Sequence, residues 1–515
     1  MSRQAGSRGP RGAQCAASTA ENISPHLRLC QLMNATTIDE AAAADTERRN
    51  KLVINLILTS SFVVILNETM MSNATPPLMQ SLGVTAAAAQ WVTTAFLLTM
   101  AVGIPMTGFL LQRLHTRVVY ILAMSLFSAG TFAALIAPDL TLLVVARVVQ
   151  ALGTAVMMPL LMTTIMQLST PETRGKTMGY VSTVISVAPA IGPVLSGVIL
   201  DYLHWRWLFV LVLPIALFAL WLGWRRIENI TTPRAAHLDI ASVILSAFAF
   251  GGIVYGISSF GVSPAARSMP PSVPFAIGGI AMVAFVWRQL VLQRRDSALL
   301  DLRVFRSGTF RISLSVFALL MVTLFGTIIL LPMYLQRVLE LTPMQTGLLL
   351  LPGGLLMGRL GPFVGRHYDK VGPRPLVIPG VIIVTAVLWA MTQLGTQTPW
   401  PYILAGHMIM CVGFALLFTP LFTTCMASVP PQLYSHGSAV LGSFNQVGGA
   451  AGVALFIALM SAQEAKLAAG GSIPLEALAG GVRLAFLVGA IGALLAVAST
   501  FFVRKPETPA APAAH

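Results

Sequence analysis

Gly365 to Arg374 reads GRHYDKVGPR, which fits the pattern G-x-x-x-D-[RK]-x-G-x-[RK] at every fixed place: Gly365, Asp369, Lys370, Gly372 and Arg374. A weaker copy, GFLLQRLHTR, runs from Gly108 to Arg117. It keeps Gly108, Arg113 and Arg117 but has Gln112 in place of the acid and His115 in place of the second glycine. Glycines at these places allow a tight turn between two helices, and the acid and bases can pair with helix ends and with each other. Both copies stand in short polar gaps between long apolar stretches, so the fold is decided by what these gaps connect.

The chain of 515 residues is 56% hydrophobic and 10% charged, with a mean hydropathy of +0.79. A soluble domain carries about 25% charged residues, so these proportions exclude a soluble enzyme and a disordered chain alike. A membrane helix needs roughly 20 mostly apolar residues, and that window finds fourteen candidates: 52–73, 87–111, 117–137, 140–165, 177–200, 205–224, 238–260, 273–292, 311–335, 344–365, 375–395, 401–426, 437–461 and 482–503. Lys and Arg gather on cytoplasmic loops. With the N-terminus inside, 25 of the 32 fall on the cytoplasmic face and 5 on the other, with Arg147 and Arg359 within spans. Both termini are therefore expected in the cytoplasm. The net charge of +14 follows from these loops and does not call for nucleic acid.

The two loop copies follow the second and tenth spans. Gln90-Trp91 opens the second span and Gln345-Thr346 the tenth, with Pro105 and Pro352 inside them. Pro76-Pro77 follows the first span and Pro332 lies at the exit of the ninth. Two parallel six-helix halves with the seventh and eighth spans inserted between them account for all fourteen, a plan used by a large transporter fold. The expected divisions are a disordered cytoplasmic tail over 1–51, a first half over 52–226, two inserted helices over 227–310, a second half over 311–503 and a cytoplasmic tail over 504–515.

Further motifs lie on the expected helices. LVVARVVQALGTA (Leu143 to Ala155) resembles R-x-x-Q-G-x-G, with Ala151 for the first glycine, and APAIGPVLSG (Ala188 to Gly197) resembles G-P-x-x-[GS]-G. WRWLFVLVLP (Trp205 to Pro214) and LNETMMSNATP (Leu66 to Pro76) resemble W-R-W-x-F and L-D-x-T-x-x-N-x-A-x-P. With the loop motif, this set resembles the major facilitator superfamily, and within it the fourteen-helix drug:proton antiporters, over nearly all of 52–503. In the first-helix motif the acid has moved one place, from Asn67 to Glu68, about 100° around a helix. The resemblance implies an all-α membrane fold and proton-coupled multidrug efflux by alternating access, from a bacterial plasma membrane.

Glu68 is the carboxylate placed well inside a span. A charge at the bilayer centre costs about 2.5–3.5 kcal/mol on insertion scales, and intramembrane ionisable groups are read as functional by default. Burial disfavours a carboxylate's charged form, which suits a proton carrier. The plainer alternative is a hydrated carboxylate near a helix end. Arg147 stands in the outer half of the fourth span, at a depth it can share with Glu68. The resemblance assigns it a role in coupling, against the alternative of a structural ion pair. Gln150 lies one turn further on the same face.

Candidates for the walls of a broad substrate cavity are Asn67, Thr69, Trp91, Phe96, Gln150, Phe325, Tyr334 and Asn445, each equally readable as a packing residue. Gly192, Pro193 and Gly197 mark the fifth span as a helix that slides during conformational change. With Gly108, Arg113, Arg117, Gly365, Asp369, Lys370, Gly372 and Arg374 they form the expected gating set. His407 is a minor candidate for a second proton site. Asp239 is expected to cap the seventh span.

The chain contains no G-x-x-x-x-G-K-[ST] phosphate loop and no H-E-x-x-H. Cys411 and Cys425 would lie about 21 Å apart on one helix, too far to bridge. No cofactor, metal, nucleic acid or enzymatic activity is expected. The expected partners are protons, lipid and a small amphiphilic substrate, cations among them, handled by a monomer. The rival readings are a dedicated exporter of one metabolite, lipid or antibiotic, and a membrane sensor or scaffold that does not transport.

Overall fold

The computed structural model describes residues 25–71, 74–229, 239–260, 269–295 and 297–502. In lipid every backbone N–H and C=O must be satisfied within the chain, and this one meets that demand with helices. They are α1 (Pro25–Met70), the short α2 (Thr75–Leu82), α3 (Ala86–Arg113), α4 (Thr116–Ile136), α5 (Leu140–Leu168), α6 (Arg174–Tyr202), α7 (Trp207–Arg226), α8 (Ile240–Phe260), α9 (Ser272–Leu292), α10 (Gly308–Arg337), α11 (Pro343–Val371), α12 (Arg374–Met391), α13 (Trp400–Ala427), α14 (Tyr434–Ala469) and α15 (Pro474–Thr500). Fourteen helices among the described residues are long and apolar enough to cross a membrane, the expected number.

Several boundaries differ from expectation: α11 and α14 run six and eight residues past their expected ends, and the first and last helices start early. From Pro25 the chain is helical, although a disordered tail was expected as far as residue 51. No proline or glycine interrupts the stretch from His26 to Met70, and its alanines and leucines favour helix. Within the unit that ends at Val53, Lys51 Nζ meets Glu47 Oε1 one turn back at 2.6 Å. Residues 1–24 and 503–515, where the ends of both expected tails fall, lie outside the described residues. The last helix starts at Pro474, eight residues before its expected start, because small apolar residues continue the helix back to a proline suited to a first turn. Arg483 is an exposed residue of that helix.

Several starts are fixed by side chains. Asp139 Oδ1 accepts from Leu142 N at 2.8 Å at the head of α5. Thr342 and Gln345 form a reciprocal capping box on α11. Asp239 caps α8 as expected, accepting from Ser242 N at 3.1 Å.

Within Ile54–His515, α4 packs against α5 and α7, and α3 against α5; in the second half α10 packs against α14 and α15, and α12 against α13 and α15. The two main seams between the halves are α6 with α11 and α3 with α14, and α6 also meets α13 and α5 meets α14. The α6–α11 seam brings backbones together: Cβ atoms added at Gly179 or Gly361 would press into the other residue's main chain, and Gly175 and Gly365 meet the same way. Lipid offers no hydrophobic drive between helices, so such small-residue contacts carry the association. The inserted helices pair through Gly252 and Gly278, and α8 also packs against both α3 and α14. At one end of the pair Arg288 grips Asp239 through two nitrogens, at 2.6 and 2.7 Å.

Candidate functional site

Arg147 lies on α5 with 1% of its surface exposed. A buried guanidinium must find acceptors or an aromatic face, and three helices, its own among them, supply them. The Cζ atom stands 4.0 Å above the Phe96 ring of α3. Nη1 donates to Gln150 Oε1, three residues on, at 2.5 Å, and towards Asn67 Oδ1 of α1 at 3.4 Å. Gln150 Nε2 passes the chain on to Thr131 Oγ1 of α4 at 2.7 Å, and that hydroxyl donates to the Phe127 carbonyl. Asn67 and Gln150 are fully buried.

Two donors in this network have no partner among the described residues: Arg147 Nε and Asn67 Nδ2. A buried donor left unmatched costs about 1–3 kcal/mol. Glu68, the next residue on α1, is half-buried and within electrostatic reach of Arg147, yet the two do not form an ion pair. An acceptor, a permanent cation and two unfilled donors thus share one neighbourhood. Such a cluster can hold a carboxylate in two arrangements, apart from the guanidinium when protonated and drawn to it when charged.

Of the expected wall residues, Asn67, Phe96 and Gln150 belong to this network. Thr69 is half-buried; its hydroxyl donates to carbonyls of its own helix and, at 3.4 Å, to Ala188 O of α6, where Gly192 leaves room for it. Trp91 is 43% exposed and stacks on Tyr255 of α8, centroids 6.3 Å apart. Phe325 is half-buried and faces Gly449 of α14. Tyr334 is fully buried and donates to the Gly395 carbonyl at 2.6 Å. Asn445 is half-buried on α14. The structure does not bring these last four to the Arg147 network.

The gating set divides similarly. Asp369, at the end of α11, caps the start of α6 in the other half: Oδ1 accepts from Gly175 N at 2.7 Å and Oδ2 from Lys176 N at 2.9 Å. A carboxylate suits that place, since the first N–H groups of a helix are unpaired and its dipole favours negative charge. Gly372 ends α11 with φ 80°, a conformation open to glycine. At the equivalent place in the first half, Gln112 reaches Gln432 O through Nε2 at 3.4 Å, and Gly108 lies against His436 at the start of α14. Arg117 donates to Trp224 O at the end of α7, and Arg374 to Phe501 O at the end of α15. These two arginines tie each connection to a helix end in its own half. Arg113 and Lys370 are exposed.

Pro193 and Gly192 lie within α6, whereas a Cβ at Gly197 would meet nothing within 4 Å. The close approach of α6 to the second half starts at Gly175 and Gly179 and continues through Val187 and Ala190 to Val194. Sequence reasoning passed over Gly175 and Gly179, Gly354, Gly358 and Gly361 of α11, and Thr131, and it named Gly365 only for the loop. The four-residue glycine spacing was the available signal. Among the described residues no three of His, Cys, Asp and Glu converge to hold a metal ion.

The comparisons with known proteins agree with this architecture. A sequence profile of the Major Facilitator Superfamily matches residues 57–453. An uncharacterised MFS-type transporter of Bacillus subtilis, YcnB, is 39% identical over 458 residues, covering 89% of this chain and 96% of the relative. The lincomycin resistance protein LmrB of Listeria monocytogenes is 37% identical over 460 residues, covering 88% and 97%. The crystal structure of the human organic anion transporter MFSD10 (TETRAN) superposes with a TM-score of 0.63 at 15% identity, covering 88% of this chain and 99% of that one.

Proposed function

The chain belongs to the major facilitator superfamily, a family of transporters and not of enzymes, and on that premise we propose that it is a proton-coupled multidrug exporter working by alternating access. The observation that carries the proposal is the buried Asn67–Arg147–Gln150–Thr131 network beside Glu68. Ionisable groups inside a membrane mark ion and substrate pathways. In this reading Glu68 takes a proton from outside and leaves Arg147. It returns towards the guanidinium and the unfilled Asn67 amide when the proton departs to the cytoplasm. An amphiphilic cation competes with the proton for the same carboxylate, so one occupant leaves as the other enters. The excess of Lys and Arg on one face supports cytoplasmic N- and C-termini, and the bacterial relatives support the plasma membrane.

A second reading is supported by the name of the Listeria relative: a narrower exporter acting on lincomycin or a similar antibiotic. One experiment separates them. Purified protein in liposomes, with an imposed pH gradient, is given ethidium or radiolabelled lincomycin. The expected result is gradient-driven transport of both, reduced to background in Glu68→Gln while a weaker ethidium binding remains. Transport of lincomycin alone favours the narrower exporter. Equal transport by wild type and Glu68→Gln removes Glu68 from the coupling step.

A further inference from the structure

The two halves repeat one another residue by residue around Arg147. Twelve places before Gly108 of α3 stands Phe96, and twelve places before Gly365 of α11 stands Gly353. The register is supported by Pro105 and Pro362, each three places before those glycines and inside its helix. In α5, Arg147 is seven places after the first residue, Leu140, with Gly153 six further on. In α13, His407 is seven places after the first residue, Trp400, with Gly413 six further on. The contacts repeat as well. Arg147 lies over Phe96, and His407 lies against Gly353, where an added Cβ would come within 2.6 Å of the imidazole ring. The second half thus holds a histidine where the first holds its buried arginine.

The surroundings of His407 are spare. Nε2 lies 3.2 Å from the Leu350 carbonyl of α11, which accepts, so Nε2 carries the hydrogen. The Cys411 thiol is 3.7 Å from the same nitrogen. Nδ1 is enclosed and has no partner among the described residues. Among the described residues of α6, α10, α11, α12 and α14, the helices packed on α13, no charged side chain bonds or pairs with the ring. An arginine cannot be deprotonated in a protein, whereas an imidazole with a free Nδ1 lone pair can accept a proton. A packing role needs no nitrogen there, and an unmatched buried acceptor is costly to keep.

We infer that His407 is a second proton-binding site of the transport cycle, so that two protons, one on Glu68 and one on His407 Nδ1, are exchanged for each substrate molecule. The inference rests on the proton-coupled reading above. Binding forms one Nδ1–H bond and an imidazolium whose Nε2–H stays on the Leu350 carbonyl. Release restores the neutral ring, and no other group changes. The bond to Leu350 ties this event to α11, which forms the long seam with α6. A charge appearing at the α11–α13 contact therefore acts on a helix that moves when the halves rock against each other.

The test is a reversal measurement in liposomes with the voltage clamped at zero and ethidium as the probe. A pH step of about one unit balances an ethidium gradient of about a hundredfold for two protons and about tenfold for one. Wild type is expected at the larger value and His407→Gln, whose amide can still donate to Leu350, at the smaller. Equal values for both, or the smaller value for wild type, would overturn the inference while leaving proton coupling intact. A wild type indifferent to the pH step removes proton coupling and this inference with it. If His407→Gln does not fold, proton release on ethidium binding by detergent-solubilised Glu68→Gln decides the matter: release supports His407, and ethidium binding without release overturns it.

Discussion

The two seams between the halves are built from equivalent helices and differ in nearly every contact. Along α6 and α11 the backbones touch at Gly179 and Gly361 and again at Gly175 and Gly365, and Asp369 closes one end with two charge-assisted bonds to the first turn of α6. Along α3 and α14 the contacts are Gly108 with His436 and Ile104 with Gly442, and a single side-chain amide, Gln112, spans to Gln432 O at 3.4 Å. The first seam is held by main chain against main chain with a charge at its end. The second is lighter and braced from outside by α8. The difference teaches that a repeated loop motif need not do the same work twice: Arg117 and Arg374 keep matching roles on helix ends, whereas the cross-half bond changes with Gln112 for the acid.

The largest effect is expected from Gly361→Leu, which drives a side chain into the Gly179 carbonyl. Overpacking of this kind costs about 1–3 kcal/mol or more, and the thermal unfolding midpoint of the detergent-solubilised protein is expected to fall clearly. An unchanged midpoint would mean that the backbone contact is dispensable. Asp369→Asn comes next. It keeps one acceptor oxygen and loses the charge, a change worth about 1 kcal/mol at a helix start. Closure of that end, followed by cross-linking of cysteines placed on the α6 and α11 ends, is expected to become several-fold less frequent. The corresponding loss in Gln112→Ala should be much smaller, and equal losses would erase the contrast between the seams.

The smallest effect concerns the brace. The Asp239 carboxyl is held well below the usual carboxylate range, chiefly by its bonds to the Arg288 guanidinium. Its folded value being depressed, the stabilisation is full above pH about 4, where the unfolded carboxyl ionises. It is lost only as pH falls further, towards the folded value. Asp239→Asn should therefore cost up to about 1 kcal/mol at neutral pH and progressively less in acid, as thermal unfolding at a series of pH values will show. A pH-independent loss would mean that the pair contributes shape and not charge.

The helix count and the Arg147–Gln150 pairing were legible because both are local: apolar length decides the one and a three-residue spacing the other. Thr131 was not, since its partner sits on another helix and a lone threonine in an apolar stretch carries no mark. Tyr334 has the same limit, its hydroxyl turned to Gly395 O inside the fold. In a chain apolar all round, hydropathy does not separate the lipid face of a helix from its buried face. The glycine spacing of the α6–α11 seam was written in the chain, but 43 glycines make such spacings common. The helix from Pro25 was hidden by polar composition, which speaks to burial more than to backbone conformation.

The brace has a consequence for how a greasy compound finds its way in. One seam is filled by touching backbones, and α8 lies along both helices of the other. Over those stretches neither seam leaves a doorway to the hydrocarbon. If the proposed export of amphiphilic compounds holds, a molecule dissolved among the acyl chains would reach the interior from water at an end of the bundle, and its aqueous fraction would set the supply.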